Sequence, residues 1–347
     1  MRHSAFLLMA LLSLTCANVP PNTGLSGGFR PGFLSGLGIQ KVLFTDTRES
    51  IQHLYVVDNA SGEPRRITSA PARRQGAWSP DGRLIAYREI GTDGVSSSLN
   101  VVRDDGTGGR QLVSHPGGPS ILMFKWSPDG ARIAYRVGPS SMSLRIIGVE
   151  GSSPVIVEAL GAPTSVSTGQ VGFAWSPDSR TLAYEARYTG DAATQVYLVN
   201  ADGTGRRRLT ATPTRAGSPA WSPDGRRLGF ESGAQIFVIN ADGTGQRQVV
   251  PGPALNPDWS PRGDLLVFQI QTGGLGVVNA DGTGQRQIVN STIGDFGVLR
   301  SWSPGGTRVA FLGLSENRGS LFVVAVAGND FQDLVDDVGS FDIRWTR

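Results

Sequence analysis

Short apolar runs, each bounded by Gly, Pro, Asn or Asp, recur along the chain from about residue 40 to its last residues. LIAY, RIAY, TLAY, RLGF, LLVF and RVAF form one series; SLNVV, QVYLV, QIFVI, GLGVV and SLFVV form a second. RQLV, RRLT, RQVV and RQIV form a third, shorter one. Runs of this length between turn residues predict β-strands, and no helical period appears beyond the first residues.

A tryptophan precedes each set of runs. Trp78-Ser-Pro-Asp-Gly returns at Trp126 and Trp221, and in weaker form at Trp175, Trp259 and Trp302, with a last copy at Ile343-Arg344-Trp345. The spacings are 48, 49, 46, 38, 43 and 43 residues, and these seven positions hold every Trp of the protein. Each unit therefore offers a Trp strand and three more. Four strands at a period of this size are the mark of a propeller blade.

These residues resemble the WD40-like, or PD40, propeller repeats found in the C-terminal domain of TolB and in the propellers of prolyl-oligopeptidase relatives. The resemblance spans about residues 39–347. The chain enters at Val42-Leu43-Phe44 without a Trp strand and leaves with one, Asp342 to Trp345, that has no blade of its own. Joining the two predicts an all-β fold: a seven-bladed β-propeller of four-stranded antiparallel blades, closed by the C-terminal strand joining the N-terminal blade. Closure removes two open sheet edges.

The segment NADGTGQRQ occurs at Asn240 and again at Asn279. A phosphate loop needs a helix after its glycines, and here the strand Arg247-Gln248-Val249-Val250 follows. A calcium loop needs several oxygen ligands, and this one has a single carboxylate; Asp104-Asp105-Gly106 comes nearest. Both Ser-Pro-Asp-Gly and Asn-Ala-Asp-Gly are read as turns, with Asp bonding nearby N–H groups and Gly taking the left-handed residue. In an antiparallel blade both fall at one end, the end where function is least expected. The seven tryptophans are read as rings packed between blades.

Catalytic groups are sparse. The histidines after the N-terminal run, His53 and His115, fall in different blades and are read as ordinary surface or hydrogen-bonded residues. Two histidines cannot reproduce the histidine-rich metal centre of seven-bladed polysaccharide lyases with related repeats. Gly24-Leu25-Ser26-Gly27-Gly28 matches GxSxG in form only, having no strand before it or helix after it. No catalytic residue, metal or cofactor is predicted.

The formal charge is +3, from 32 basic and 29 acidic side chains, which gives no reason to expect a nucleic-acid partner. The run Arg206 to Arg208 is read as a solvated edge strand. Arg2 and His3 precede the apolar run Ala5 to Leu14, the pattern of a secretory signal peptide, so an exported protein of the bacterial envelope is expected. The predicted division is a signal peptide at 1–17, a Pro/Gly/Ser-rich linker at 18–38 and the propeller at 39–347. Cys16, the single cysteine, resembles the acylated residue of a lipoprotein, with Ser13 where that motif usually has Leu. Acylation of Cys16 and its removal are both left open, and a lipid anchor there is the one membrane contact expected.

The variable loops fall at 69–76, 114–123, 158–171, 187–194, 210–218, 290–298 and 314–319, on the face opposite the repeated turns. Loops on a rigid scaffold are where binding concentrates. Arg73, Arg74, Glu89, Arg187, Tyr188, Arg215, Glu231 and Asn317 are the candidate partner-binding residues. The resemblance to TolB implies an exported, monomeric, non-enzymatic propeller that binds a protein or peptide of the envelope at its channel mouth. The alternatives are a lyase or hydrolase acting on a saccharide or peptide, and a structural module.

Overall fold

A computed structural model describes residues 33–46, 53–68, 75–91, 93–138, 143–151, 153–159, 172–290, 300–315, 318–328, 330–336 and 338–345. Its strands, β1 to β28 in chain order, form seven four-stranded antiparallel sheets, the blades of a propeller. Blade 1 is composite, in the order β28 (Val338–Trp345), β1 (Ile39–Asp46), β2 (Leu54–Asp58), β3 (Arg65–Arg66). Blades 2 to 7 open with β4 (Gly76–Trp78), β8 (Ser120–Trp126), β12 (Phe173–Trp175), β16 (Ala216–Trp221), β20 (Ala254–Trp259) and β24 (Arg300–Trp302). The ring thus closes as the repeat count predicts.

The Trp registers agree in six blades and differ in one. Trp78, Trp126, Trp175, Trp221, Trp259 and Trp302 each pair with the second residue of the next strand, as in Trp78 with Ile85. In blade 1 the corresponding place, opposite Val42, belongs to Ile343, and Trp345 lies past a bulge opposite Ile39. Its indole still reaches the neighbouring blade, donating from Nε1 to Ser301 Oγ at 3.0 Å. Trp126, Trp175 and Trp259 donate in the same sense, to the carbonyls of Ala77, Lys125 and Ala220 in the preceding blades. These four tryptophans therefore fasten blade to blade. Before β1, Phe33–Gly36 forms a short helix, and Leu34 and Leu37 are buried with Phe44, Phe341 and Ile343 in the core of blade 1.

The serine of each Trp-Ser-Pro turn does more than the sequence suggests. Ser222 is fully buried; its Oγ donates to Asp224 Oδ1 at 2.5 Å and accepts from Arg227 N at 2.9 Å. Asp224 in turn accepts from Arg226 N, and Gly225 takes a φ of 68°. Ser79, Ser127 and Ser176 repeat the bonds. Replacing Ser222 with alanine strands a buried N–H and frees the aspartate, so a loss of about 1–3 kcal/mol is expected in urea unfolding. A loss within a few tenths would mean that water satisfies the turn.

The NADGTGQRQ segments are turns as well. Asp242 Oδ1 accepts from Thr244 N and Thr244 Oγ1 at 2.9 and 2.7 Å, and Gly243 and Gly245 have φ of 95° and 65°. The arginine that follows reaches out of its own blade, since Arg247 donates to the Ala280 carbonyl in the next blade's turn. Arg65, Arg110, Arg207 and Arg286 do the same to Asp104, Val149, Ala241 and Val326. This arginine ties each outer strand to its neighbour around the ring. Arg207–Arg208 is indeed an exposed edge strand, with Arg207 so engaged.

The closing strand carries one costly group. Asp342 accepts from Trp78 N at 2.7 Å, bridging blade 1 to blade 2, and from Ile343 N at 2.9 Å. Burial pushes its carboxyl up to about 6 against those two bonds. A carboxyl raised on folding contributes stability that is full below its unfolded value near 4 and is lost as pH rises through 6. Wild type measured against Asp342→Asn is expected to lose about 1–3 kcal/mol of relative stability over that window. Thermal unfolding at a series of pH values tests this. The difference matters because Asp81, Asp178 and Asp224, lowered chiefly by their serine hydrogen bonds, act in the opposite sense in both proteins.

Candidate functional site

The second strand of each blade carries an aromatic or apolar pair facing the core, and the next residue falls on its other side, near the variable-loop end. In blades 2 to 6 that residue is Arg88, Arg136, Glu185, Glu231 and Gln269. Several of these reach the first strand of the following blade. Arg88 Nη1 donates to the carbonyls of Ile121 and Leu122 at 2.6 and 2.7 Å. Glu185 Oε1 accepts from Ser218 N at 2.7 Å, and Glu231 Oε2 from Asn256 N at 2.9 Å.

The two donor segments are locally alike. Ser218 and Asn256 take left-handed φ values of 50° and 51°, each inside a register shift of its strand pair. Such bulges re-aim backbone groups. Here each puts an N–H against a buried carboxylate, which offsets the strain of the turn. Ser218 Oγ then donates to Asn256 Oδ1 at 2.8 Å, and Asn256 Nδ2 to Gln269 Oε1 at 3.1 Å.

Arg215, in the loop between blades 4 and 5, sits between the two glutamates. Its Nη2 is 2.6 Å from Glu185 Oε2 and its Nη1 is 2.6 Å from Glu231 Oε1. The Glu185 side chain is 1 % exposed and that of Arg215 36 %. Burial raises the Glu185 pKa even with Arg215 and two backbone N–H donors, from Ser218 and Gly172, working against it. For Arg215 burial opposes the charge, and Glu185 and Glu231 together outweigh it and raise its pKa.

The network continues into the ring. Arg300, on the first strand of blade 7, donates from Nη2 to the Asn256 carbonyl. Burial lowers its pKa, while Asp258 and Glu231 hold its charge. Burial raises that of Asp258, opposed by Arg300 and Lys125. Lys125 and Asp258 both stand one residue before their tryptophan, on innermost strands of different blades. Lys125 is solvent-exposed although protein around it lowers its pKa. A side chain both wet and surrounded lines the channel. At the other end Arg136, lowered by burial to about 10, is held by Glu185 with Tyr184 and Tyr188.

The result is a chain of alternating charge: Arg136, Glu185, Arg215, Glu231, Arg300, Asp258, Lys125. Four cations and three carboxylates leave one excess positive charge when all are ionised. All four oxygens of Glu185 and Glu231 accept hydrogen bonds. Arg215 retains N–H donors beyond its two ion pairs, by the inventory of a guanidinium. The arrangement suits holding a carboxylate or peptide carbonyl in the channel more than proton transfer by the glutamates. No three His, Cys, Asp or Glu side chains converge as a metal centre among the described residues, and no step is routed through a metal.

Of the residues singled out from sequence, Arg215 and Glu231 meet. Tyr188 borders the network beside Arg136, bonding Tyr184 and stacking under Arg206, whereas Arg187 turns back onto its own blade 4 loop and donates to the Asp191 and Ala192 carbonyls. Glu89 lies on β5 (Leu84–Ile90) of blade 2, partly buried. Arg73, Arg74, Asn317 and Cys16 lie outside the described residues. Arg136, Glu185, Asp258, Arg300 and Lys125 were missed. For Arg136, Glu185, Asp258 and Lys125 the signal was a charge next to a Tyr or Trp inside a strand, a place where an unpaired charge is costly; Arg300, between Leu299 and Ser301, carried no such signal.

Comparison with known proteins corrects the expected activity. A 54-residue stretch is 46% identical to the uncharacterized peptidase YuxL of Bacillus subtilis, covering 16% of this chain and 8% of that protein. A 63-residue stretch is 40% identical to dipeptidyl-peptidase 5 of Porphyromonas gingivalis, covering 17% and 9%. The chain thus spans less than a tenth of the length of these relatives. A prolyl endopeptidase structure superposes with a TM-score of 0.65 at 14% identity, over 87% of this chain and 48% of that one, a likeness of fold. The expectation of a non-enzymatic propeller is corrected by these relatives, whose names are those of peptidases and which favour the alternative of an enzyme propeller. The family model of the TolB beta propeller domain matches residues 89–345, well over half of the sequence, and the chain belongs to that family, PD40.

Proposed function

We propose that this chain is the propeller of a peptide-processing hydrolase, and that its charged channel receives the peptide and orients it. The observation that carries the reading is the alternating network from Arg136 to Lys125, with its excess positive charge and its exposed Lys125. A peptide chain offers carbonyls along its length and a carboxylate at its end. Guanidinium and ammonium donors surrounded by protein hold such groups more strongly than they would at an open surface. The peptidase names of the local relatives support the same substrate class. The N-terminal apolar run adds an exported location to the proposal, which cell fractionation tests.

The experiment is a panel of short peptides with free and amidated C-termini, followed both by calorimetric binding and by release of products. Free-acid peptides are expected to bind about tenfold more tightly than their amides. Lys125→Met is expected to reduce that preference while leaving the fold intact. Neither binding nor turnover of any peptide by the full chain would remove the reading.

A further inference from the structure

The opposite end of the ring, where the repeated turns lie, has a cavity of its own. It measures about 560 Å³ and is bounded by Trp78, Pro80, Asp81, Asp342, Arg344 and Trp345, among others. It sits at the seam where β28 closes the ring. Its volume is in the range of small-ligand sites, and polar and apolar groups share its lining about equally.

Two of its groups lack what they need. Asp342 has no ion-pair partner among the described residues; both of its oxygens take only backbone N–H groups. Trp78 is 7% exposed, and its buried Nε1 has no hydrogen-bond partner among the described residues. Trp221 and Trp302 share that lack but do not border the cavity. The nearby cations are engaged elsewhere. Arg344 donates from Nη1 to the Gly82 carbonyl at 2.8 Å, Lys41 on β1 pairs with Asp104 at 2.5 Å, and Arg83 lies 3.7 Å from Asp81. Asp81 itself accepts from Ser79 Oγ and Arg83 N.

We propose that this cavity binds a basic side chain of a peptide, its ammonium or guanidinium facing Asp342 and a peptide carbonyl accepting from Trp78 Nε1. A cation supplies the charge that Asp342 lacks, and the indole edges and prolines accommodate the alkyl stem. A carbonyl next to that stem supplies the missing acceptor. A free amine offers only the first of these, which is why a peptide is the assigned source. None of the residues of the charged network borders the cavity, and the site does not rest on the function proposed for that network.

N-acetyl-lysinamide is the probe, measured by titration calorimetry beside its neutral isostere N-acetyl-norleucinamide and beside putrescine. The lysinamide is expected to bind at least about tenfold more tightly than the norleucinamide, and more tightly than putrescine. Asp342→Asn is expected to lose that preference and Trp78→Phe to weaken binding several-fold. In wild type the affinity should fall about tenfold between about pH 7.5 and about pH 5 as Asp342 takes up a proton. Equal binding of the isostere, tighter binding of putrescine, or no saturable binding overturns the proposal. If Asp342→Asn does not fold, the wild-type pH profile decides, and a flat one overturns it.

Discussion

Replacing Arg215 with alanine is expected to lower the unfolding free energy by about 2–4 kcal/mol, the lower part of the range for stripping one partner from a buried ion pair. The discount reflects the 36 % exposure of the arginine itself. The carboxylates it leaves behind set the size of the effect. Glu185 is buried, already raised in pKa by that burial, and Arg215 is the principal charge holding it down. Without the arginine its pKa rises further, so the carboxyl takes up a proton on folding. Stability from such a group is full below its unfolded pKa and lost as pH rises, so the deficit of the variant should shrink toward acid. Urea unfolding near pH 7 and near pH 5 measures both statements. Adding Glu185→Gln should recover part of the loss at neutral pH, because the stranded charge is then gone. A loss below about 1 kcal/mol would mean that channel water screens the triad as it does a surface pair.

Removing residues 338–347 is expected to have the larger effect and to abolish cooperative folding of the monomer. β28 supplies Phe341, Ile343 and Trp345 to the core around Phe44 and Val42, and Asp342 to the link with Trp78. Three large side chains of this kind are worth about 5–8 kcal/mol of burial together, comparable to the whole stability of an ordinary domain. The truncation also bares the edge of β1, an eight-residue strand with free backbone donors and acceptors. Association through that edge is the expected outcome in size-exclusion chromatography, with loss of the sharp thermal transition. A truncated chain that stays monomeric and melts as wild type does would show that the seven blades hold without their closure.

The blade count, the strand order and the closure were all legible in the sequence, because each rests on a local signal repeated many times. A Trp followed by a Pro-Asp-Gly turn fixes an inner strand and its exit. An apolar run after it fixes the partner, and an Asp-Gly-Thr-Gly turn fixes the outer hairpin. The repeat also showed that NADGTGQRQ turns a chain, since a strand and no helix follows it. Even so, the roles of Ser222 and Arg247 were not visible: one acts across a turn and the other across two blades, and neither is needed by the local pattern.

The charged site was legible only in part. Arg215 and Glu231 were read from loop position, and they do meet. Glu185, Arg136, Asp258, Arg300 and Lys125 come from four different blades, and nothing in their spacing brings them together. Closing the ring does so, by turning the same end of every blade toward one axis. Their pKa shifts follow from that burial and from opposite charges across blades, terms that a linear sequence does not contain. The same holds for the cavity beside Asp342, which exists because a strand from the end of the chain pairs with one from its beginning. Local hydrogen bonding and hydrophobic spacing thus determined the fold from sequence alone. Which charges face one another, and which stay uncompensated, was decided by the geometry of the closed ring.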